Sequence, residues 1–232
     1  RHDYGDFVEC GLELSCPEAA RLILSHSHNF NITEAVGGDV AEYDVEVMEI
    51  LKESRSTVIN FLDSTTLDPR QTLAVLLFYS HEVQNWIDGG EAAVLNVDDC
   101  LLMAERYAAK GNWESLLDFF RNLEILTPQW RNRLSAPTGE SYWHSQFFSL
   151  MRFFICRYWL QAVSDYDLIC RVKFLIVACL VIYRLGGEFV ETAQLFSKEI
   201  ENDPDNLEAV LDGAYNAPAL TDVHLLGLLL DY

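Results

Sequence analysis

Two long apolar stretches, at residues 147–163 and 168–185, constrain the fold of this 232-residue chain more than any other feature. Both are rich in aromatic and branched residues, and neither has a polar side wide enough to face water. A helix that is hydrophobic all round is buried. The four residues at 164–167 are polar and form a short connection. The sequence therefore predicts a helix hairpin at the centre of the fold, with other helices packed around it.

Helix-start signals divide the rest of the chain into further helices. Asp-Pro or Thr-Pro pairs at 68–69, 127–128 and 203–204 place a good N-cap residue before a proline that suits the first helical turn. Paired glycines follow several apolar segments and predict their ends. The predicted helices cover about residues 17–28, 44–62, 69–87, 91–110, 112–126, 130–134, 147–163, 168–185, 188–202, 204–215 and 221 onward.

These signals predict an all-α fold, an irregular bundle of about ten helices around the apolar hairpin. Residues 7–14 alternate in part between apolar and polar side chains and allow one short N-terminal strand. We expect a single helical domain over residues 1–232, with a subdivision near 136–140 as the alternative. Because the chain begins at Arg1 without an initiator methionine, we expect a C-terminal fragment of a larger protein.

The chain is strongly acidic, with 36 Asp and Glu against 16 Lys and Arg and a formal charge of −20. Phosphate binding needs a basic surface, so we expect no nucleic-acid partner. High net charge favours solubility, and it also offers a surface that attracts cationic groups such as lysine side chains. The longest apolar run, at 174–183, is far shorter than the roughly 20 residues of a membrane span, so we expect no membrane partner.

Six cysteines are present: Cys10, Cys16, Cys100, Cys156, Cys170 and Cys179. Their spacing matches neither zinc-binding patterns nor a compact disulfide framework. We therefore expect reduced thiols, a cytoplasmic location and no metal site in this chain. The glycine-rich phosphate and dinucleotide loops and the GxSxG signature of many hydrolases are also absent from the sequence.

Charged residues interrupt or flank the apolar hairpin, where burial is costly unless charges are paired. They are Arg152, Arg157, Asp165, Asp167, Arg171 and Lys173. One interpretation is structural: these residues pair and lock the hairpin, as Asp167 and Arg171 would at a spacing of i, i+4. The other is a polar pocket in which Tyr158, Asp165 and Asp167 face a cationic or amine substrate.

Several phrases of the sequence occur together in one known family. They are residues 12–22 (LELSCPEAARL), residues 154–163 (FICRYWLQAV) continuing through Asp165 and Asp167 to 171–173 (RVK), residues 196–201 (FSKEIE) with 206–208 (NLE), and residues 120–130. In these stretches, which span nearly the whole chain in the same order, the sequence resembles the flagellin lysine-N-methylases. Cys16, Glu18 and Arg21 fall on the first of these motifs.

This resemblance implies that the full-length protein transfers methyl groups from S-adenosylmethionine to lysine side chains of flagellin in the bacterial cytoplasm. In the family a cysteine-rich region, thought to hold an iron–sulfur cluster, lies before the matching phrases, so the expected partners are flagellin and that region. Tyr158, Asp165 and Asp167 become catalytic candidates, while Arg152, Arg157, Arg171 and Lys173 form a polar cluster for substrate or structure. We expect the fragment to be inactive alone.

A second functional interpretation is a non-enzymatic helical module that binds a basic protein. Residues 111–128 and 187–204 each run 17 positions from glycine to proline, as in part of a tetratricopeptide repeat. They lie 76 residues apart, which is not a multiple of the roughly 34-residue repeat period. Helix capping explains this likeness, and acidic helix faces would provide the binding surface.

Overall fold

The computed structural model describes residues 43–139 and 142–231. Within these ranges the chain forms ten α-helices and no strand, which confirms the all-α prediction. They are α1 (Val45–Ser64), α2 (Pro69–Ile87), α3 (Val97–Tyr107), α4 (Trp113–Arg121), α5 (Pro128–Ser135), α6 (Gln146–Tyr158), α7 (Leu168–Leu185), α8 (Phe189–Phe196), α9 (Pro204–Asn216) and α10 (Asp222–Leu229). The predicted strand at 7–14, the helix at 17–28, and Cys16, Glu18 and Arg21 lie outside the described residues.

The apolar hairpin is the centre of the bundle, as predicted. Helix α6 continues into a 3₁₀ turn at Trp159–Val163, and α7 returns after the polar connection. Fourteen of the 18 residues of α7 are buried, and the helix packs against α2, α4, α6, α8, α9 and α10. Buried side chains of all ten helices form one continuous core. A subdivision near 136–140 stays a prediction.

The three predicted N-caps are confirmed by their hydrogen bonds. Asp68 accepts from the backbone N–H groups of Arg70 and Gln71 and forms a capping box with Gln71. Thr127 Oγ1 accepts from the N–H of Trp130 at 3.2 Å, and Asp203 accepts from that of Asn206 at 2.9 Å. These bonds satisfy donors that a helix start otherwise leaves without a partner.

The helix predicted at 91–110 is wrong over its first turns, because α3 begins only at Val97. Residues 91–96 contain helix-forming side chains but are not helical. Ala93, Leu95 and Val97 pack against the core, and the residues between them are exposed. Alternate burial of this kind belongs to an extended chain. Packing therefore outweighs local helix propensity here.

The helix predicted at 112–126 ends early, at Arg121. Buried polar side chains hold the next residues in a non-helical connector, at 122–127. Asn206 accepts from the N–H of Glu124 at 3.0 Å and donates to its carbonyl at 2.8 Å. The carboxylate of Glu199 accepts from the N–H of Leu126 at 2.8 Å. These bonds replace the helical ones.

Two short turns complete the chain. The helix predicted at 188–202 is α8 followed by a π-turn at Ser197–Glu201, and a 3₁₀ turn at Pro218–Leu220 precedes α10. A π-turn inserts an extra residue per turn and is frequent at functional sites. None of the helices in the two described ranges is long and apolar enough to span a membrane.

Helix α10 crosses the α3–α4 connection so closely that only glycine fits at position 227. A Cβ on Gly227 would overlap the carbonyl oxygen of Ala109. Glycine-to-alanine changes usually favour a helix, but here we expect Gly227→Ala to destabilise the protein by about 1–3 kcal/mol through overpacking. Urea unfolding measures this. Val223→Ala, at an exposed position of the same helix, is the control and should change stability by less than about 0.5 kcal/mol.

Candidate functional site

A cleft of about 440 Å³ opens between the polar connection of the hairpin, the π-turn and α9. Its lining residues are Arg157, Asp165, Asp167, Cys170, Arg171, Glu201, Asn202, Pro204, Leu207, Glu208, Leu211, Asp212 and Tyr215. Four of the residues singled out in the sequence, Arg157, Asp165, Asp167 and Arg171, thus meet at one cavity. Tyr158 lies behind this lining.

One wall of the cleft is a face of α9 that combines apolar and acidic side chains. Leu207 and Leu211 are half-buried, one helical turn apart, and Glu208 and Asp212 are exposed beside them. Neither of these two carboxylates forms a hydrogen bond or ion pair with another described residue. This wall therefore offers apolar contact for a chain of methylene groups, next to two exposed negative charges.

The opposite wall carries charges that are already paired. Arg171, with only 11% of its side chain exposed, is bonded to Asp165. The predicted pair of Arg171 with Asp167 is wrong, because Asp167 is the N-cap of α7 and accepts from the N–H of Cys170 at 3.0 Å. Tyr166 has a φ of 61°, and this left-handed residue lets the chain turn sharply between the two aspartates.

A buried charge cluster closes the inner end of the cleft. The Tyr158 hydroxyl donates to Glu201 Oε1 at 2.8 Å, and Arg157 Nε lies 3.4 Å from the same oxygen. Arg157 Nε also donates to the Tyr158 hydroxyl at 3.2 Å. The Glu201 side chain is only 3% exposed, so it needs these partners. We refer to these three residues as the inner cluster.

Burial changes the proton affinity of the inner cluster. It raises the pKa of Glu201, although the guanidinium of Arg157 and the hydroxyl of Tyr158 oppose the shift. Burial, followed by the nearby charge of Glu201, raises the pKa of Tyr158 well above its usual value. Tyr158 is therefore a hydrogen-bond donor at neutral pH. Glu201 lines the cleft and Tyr158 does not. The substrate-facing position predicted for Tyr158 is therefore held by Glu201.

The sequence reasoning missed Glu201, Glu208 and Asp212 as members of the site. Glu201 directly follows Ile200, and Phe196 and Ile200 form an apolar stripe. An acidic residue next to such a stripe was the signal that Glu201 could be buried. The π-turn that directs Glu201 toward Tyr158 leaves no comparable signal. Glu208 and Asp212 look like ordinary solvated residues of α9, and only the fold places them opposite Asp165.

The other two predicted cluster residues stabilise contacts away from the cleft. Arg152 is bonded to Asp63 of α1. Lys173, which is 6% exposed, donates to the carbonyl of Ala214 and lies 3.0 Å from Asp222. His81 Nε2 lies 2.8 Å from the same carboxylate. These contacts connect α7 and α2 to the C-terminal helices.

The described cysteines do not form a metal or cluster site. Cys100 lies on α3, Cys156 on α6, and Cys170 and Cys179 on α7. No three His, Cys, Asp or Glu residues in the described part of the chain are placed to hold a metal ion. Cys170 lines the cleft, but burial raises its pKa to about 12, which keeps it a thiol at neutral pH. An iron–sulfur cluster does not fit these residues.

No family model, curated protein or solved structure matches this chain.

We expect Tyr158→Phe to lower the free energy of unfolding by about 1–3 kcal/mol, because Glu201 loses a hydrogen-bond donor while its carboxylate stays buried. Tyr107→Phe is the matched control, since Tyr107 is 51% exposed and its ring contact with Phe78 needs no hydroxyl. Chemical denaturation of both variants measures the difference. Equal stability of the two variants would contradict the assigned role of Tyr158.

Asp222 makes the free energy of unfolding depend on pH. Its burial alone would raise the pKa, but hydrogen bonds from His81 and Lys173 and their charges hold it at about 2. Because the pKa of an unfolded aspartate is about 3.9, this stabilisation is complete above about pH 4 and is lost as the pH falls toward 2. We expect Asp222→Asn to be less stable at pH 7 and to lose less stability over that window. Glu105→Gln, an exposed control, should keep the wild-type slope in denaturation curves.

Proposed function

We propose that this chain is the substrate-binding domain of a flagellin lysine N-methyltransferase, and that the cleft receives the lysine side chain. The observation that carries the proposal is the charge of the cleft. Five carboxylates and two guanidinium groups line it, an excess of three negative charges. The arginines are engaged by Glu201 and Asp165, so the residual field favours a cation.

The α9 wall suits the two parts of a lysine side chain. The methylenes of the lysine would contact Leu207 and Leu211, and its ammonium would lie beside Glu208 and Asp212. Long cationic side chains are bound in this way because the stem is removed from water and the charge stays hydrated or paired. A phosphate-bearing ligand has no comparable fit, because these carboxylates would repel its negative charge.

S-adenosylmethionine would supply the methyl group, whose bond to sulfur breaks with its electron pair left on sulfur as the new N–C bond forms. The bound ammonium of lysine must lose one proton before this transfer, because only the neutral amine is a nucleophile. The chain's contribution is to bind and orient the amine. Asp165 and Asp167 face the cleft and are the candidates to receive the proton, while Tyr158 acts through Glu201.

Among its described lining residues the cleft offers no free cation for the carboxylate of the methyl donor. S-adenosylmethionine carries a carboxylate, and both arginines of the lining are already engaged by carboxylates of the chain. We therefore assign the methyl acceptor to the cleft. In this proposal S-adenosylmethionine binds elsewhere in the full-length protein, which acts in the bacterial cytoplasm together with its cysteine-rich region.

The same acidic cleft also favours the second candidate, a non-enzymatic module that binds a basic protein partner. Both candidates require a cationic side chain in the cleft. They differ in turnover, because only the first consumes S-adenosylmethionine. Activity of the full-length protein separates them.

The test is transfer of labelled methyl from S-adenosylmethionine to flagellin by the full-length protein. We expect Glu208→Gln with Asp212→Asn to lower kcat/KM about tenfold or more, mainly through KM, because a cation within a few ångströms loses two charges. Glu91→Gln with Glu105→Gln makes the same change in net charge at exposed positions outside the cleft, and should leave kcat/KM within about twofold.

The outcomes are distinct. An equal loss in both double variants would show that total charge, and not the cleft, determines binding. If the full-length protein methylates no flagellin but binds lysine-bearing peptides through the cleft, the enzyme proposal is wrong and the interaction module is supported. If neither methylation nor cleft-dependent binding occurs, both candidates are wrong.

A further inference from the structure

Tyr215 lies at the end of an apolar row on the cleft wall that α9 forms. Leu207, Leu211 and Tyr215 follow one another at intervals of four residues, and all three line the cleft. Side chains at this spacing lie on one face of a helix, and each interval is about 6 Å along the helix axis. Asp212, three residues before Tyr215, lies beside it on the helix surface. The row therefore continues past the two leucines to an aromatic ring next to a carboxylate.

The ring of Tyr215 is open, whereas its hydroxyl is held. The residue is 68% exposed, and its ring has no aromatic or cation–π contact with another residue in the described ranges. The hydroxyl is hydrogen-bonded to Asp167, the N-cap of α7. Partial burial, followed by this bond and the charge of Asp167, raises the pKa of Tyr215, so the side chain is a neutral phenol at neutral pH. One end of the ring is thus fixed, and its faces can take a new partner.

An open aromatic face beside a carboxylate attracts cations without hydrogen bonds. The electrons of the ring face draw a positive charge that lies within about 6 Å of the ring centre, and the attraction is larger when the cation has lost its water. A lysine that is methylated on its side-chain nitrogen stays cationic, but each methyl group replaces an N–H donor by apolar surface. Such a group loses water more easily than a free ammonium. The α9 wall therefore suits methylated lysine as well as lysine.

We propose that Tyr215 is a cation-binding residue of the cleft, and that the cleft binds methylated lysine at least as tightly as lysine. The methylene stem of the ligand lies along Leu207 and Leu211, and its charged nitrogen meets the ring of Tyr215 and the carboxylate of Asp212, one turn further along α9. The inference rests on the proposed function, because it assumes that a lysine side chain enters the cleft. It names the ligand more closely, as a lysine in any of its methylation states.

The test uses the full-length protein and three end-capped decapeptides of serine and glycine that differ only in the central residue. The first carries lysine and the second carries trimethyllysine. The third carries the neutral analogue of trimethyllysine, in which a carbon atom replaces the charged nitrogen. The dissociation constant of each peptide is measured by calorimetry at low salt. We expect the wild type to bind the trimethyllysine peptide at least as tightly as the lysine peptide, and more tightly than the neutral analogue.

Two variants of Tyr215 separate the ring from its apolar surface. Tyr215→Leu removes the aromatic face and keeps an apolar side chain, so we expect the preference for trimethyllysine over its neutral analogue to fall about two- to fivefold. Tyr215→Phe keeps the ring and should keep that preference within about twofold. Tyr107→Leu is the control, because Tyr107 is half-exposed and lies outside the cleft, and it should leave the preference unchanged.

The outcomes distinguish this inference from the proposed function. If Tyr215→Leu weakens the trimethyllysine peptide and its neutral analogue alike, Tyr215 provides only apolar contact and the inference is overturned. It is also overturned if the wild type binds lysine but binds trimethyllysine more weakly. If neither cationic peptide binds, lysine binding in the cleft is wrong and this inference falls with it. If trimethyllysine binds through Tyr215 but the full-length protein methylates no flagellin, this inference is supported and the methyltransferase proposal is wrong.

Discussion

Burial of α7 on every side is the constraint on which the rest of the structure depends. Its middle turns carry apolar residues around the whole circumference, so neighbouring helices must cover it completely. A charge within it needs a partner, as Lys173 has in Asp222. Asp165, Asp167 and Arg171 meet at the cleft beside the N-terminal end of α7. The position of the cleft is thus a consequence of how the core is filled.

A second constraint comes from buried polar side chains outside the hairpin. Asn206 is 2% exposed and bonds to the backbone of Glu124 and to the carbonyl of Glu199. It joins the connector at 122–127 to the π-turn, and the π-turn carries Glu201 to the inner end of the cleft. Each donor or acceptor left without a partner here would cost free energy. A polar network therefore fixes a wall of the cleft that apolar packing alone would leave adjustable.

The parts of the fold that were predictable from sequence are those decided by local chemistry. Asp68, Thr127 and Asp203 cap helices through atoms two or three residues away, so their role is visible in the sequence. The connector was not predictable, because Asn206 lies 82 residues from Glu124. For Asp167 two local patterns competed: helical spacing suggested Arg171, but the N-cap conformation turns its carboxylate to the backbone N–H of Cys170, three residues away.

Four of the thirteen residues that line the candidate site were predicted from sequence, and this division has a physical basis. The wall at the start of α7, with Asp165, Asp167 and Arg171, was predicted because charged residues are easy to recognise within an apolar sequence. Burial makes such charges costly unless they are paired. The α9 wall was missed because Glu208 and Asp212 remain hydrated and need none. That same difference separates their roles. Paired charges are already oriented and change little when a ligand arrives, whereas the carboxylates of Glu208 and Asp212, which have no partner among the described residues, can take a new one without breaking a bond to those residues. The α9 wall, which was not predicted from the sequence, is therefore the wall better suited to bind a cationic ligand.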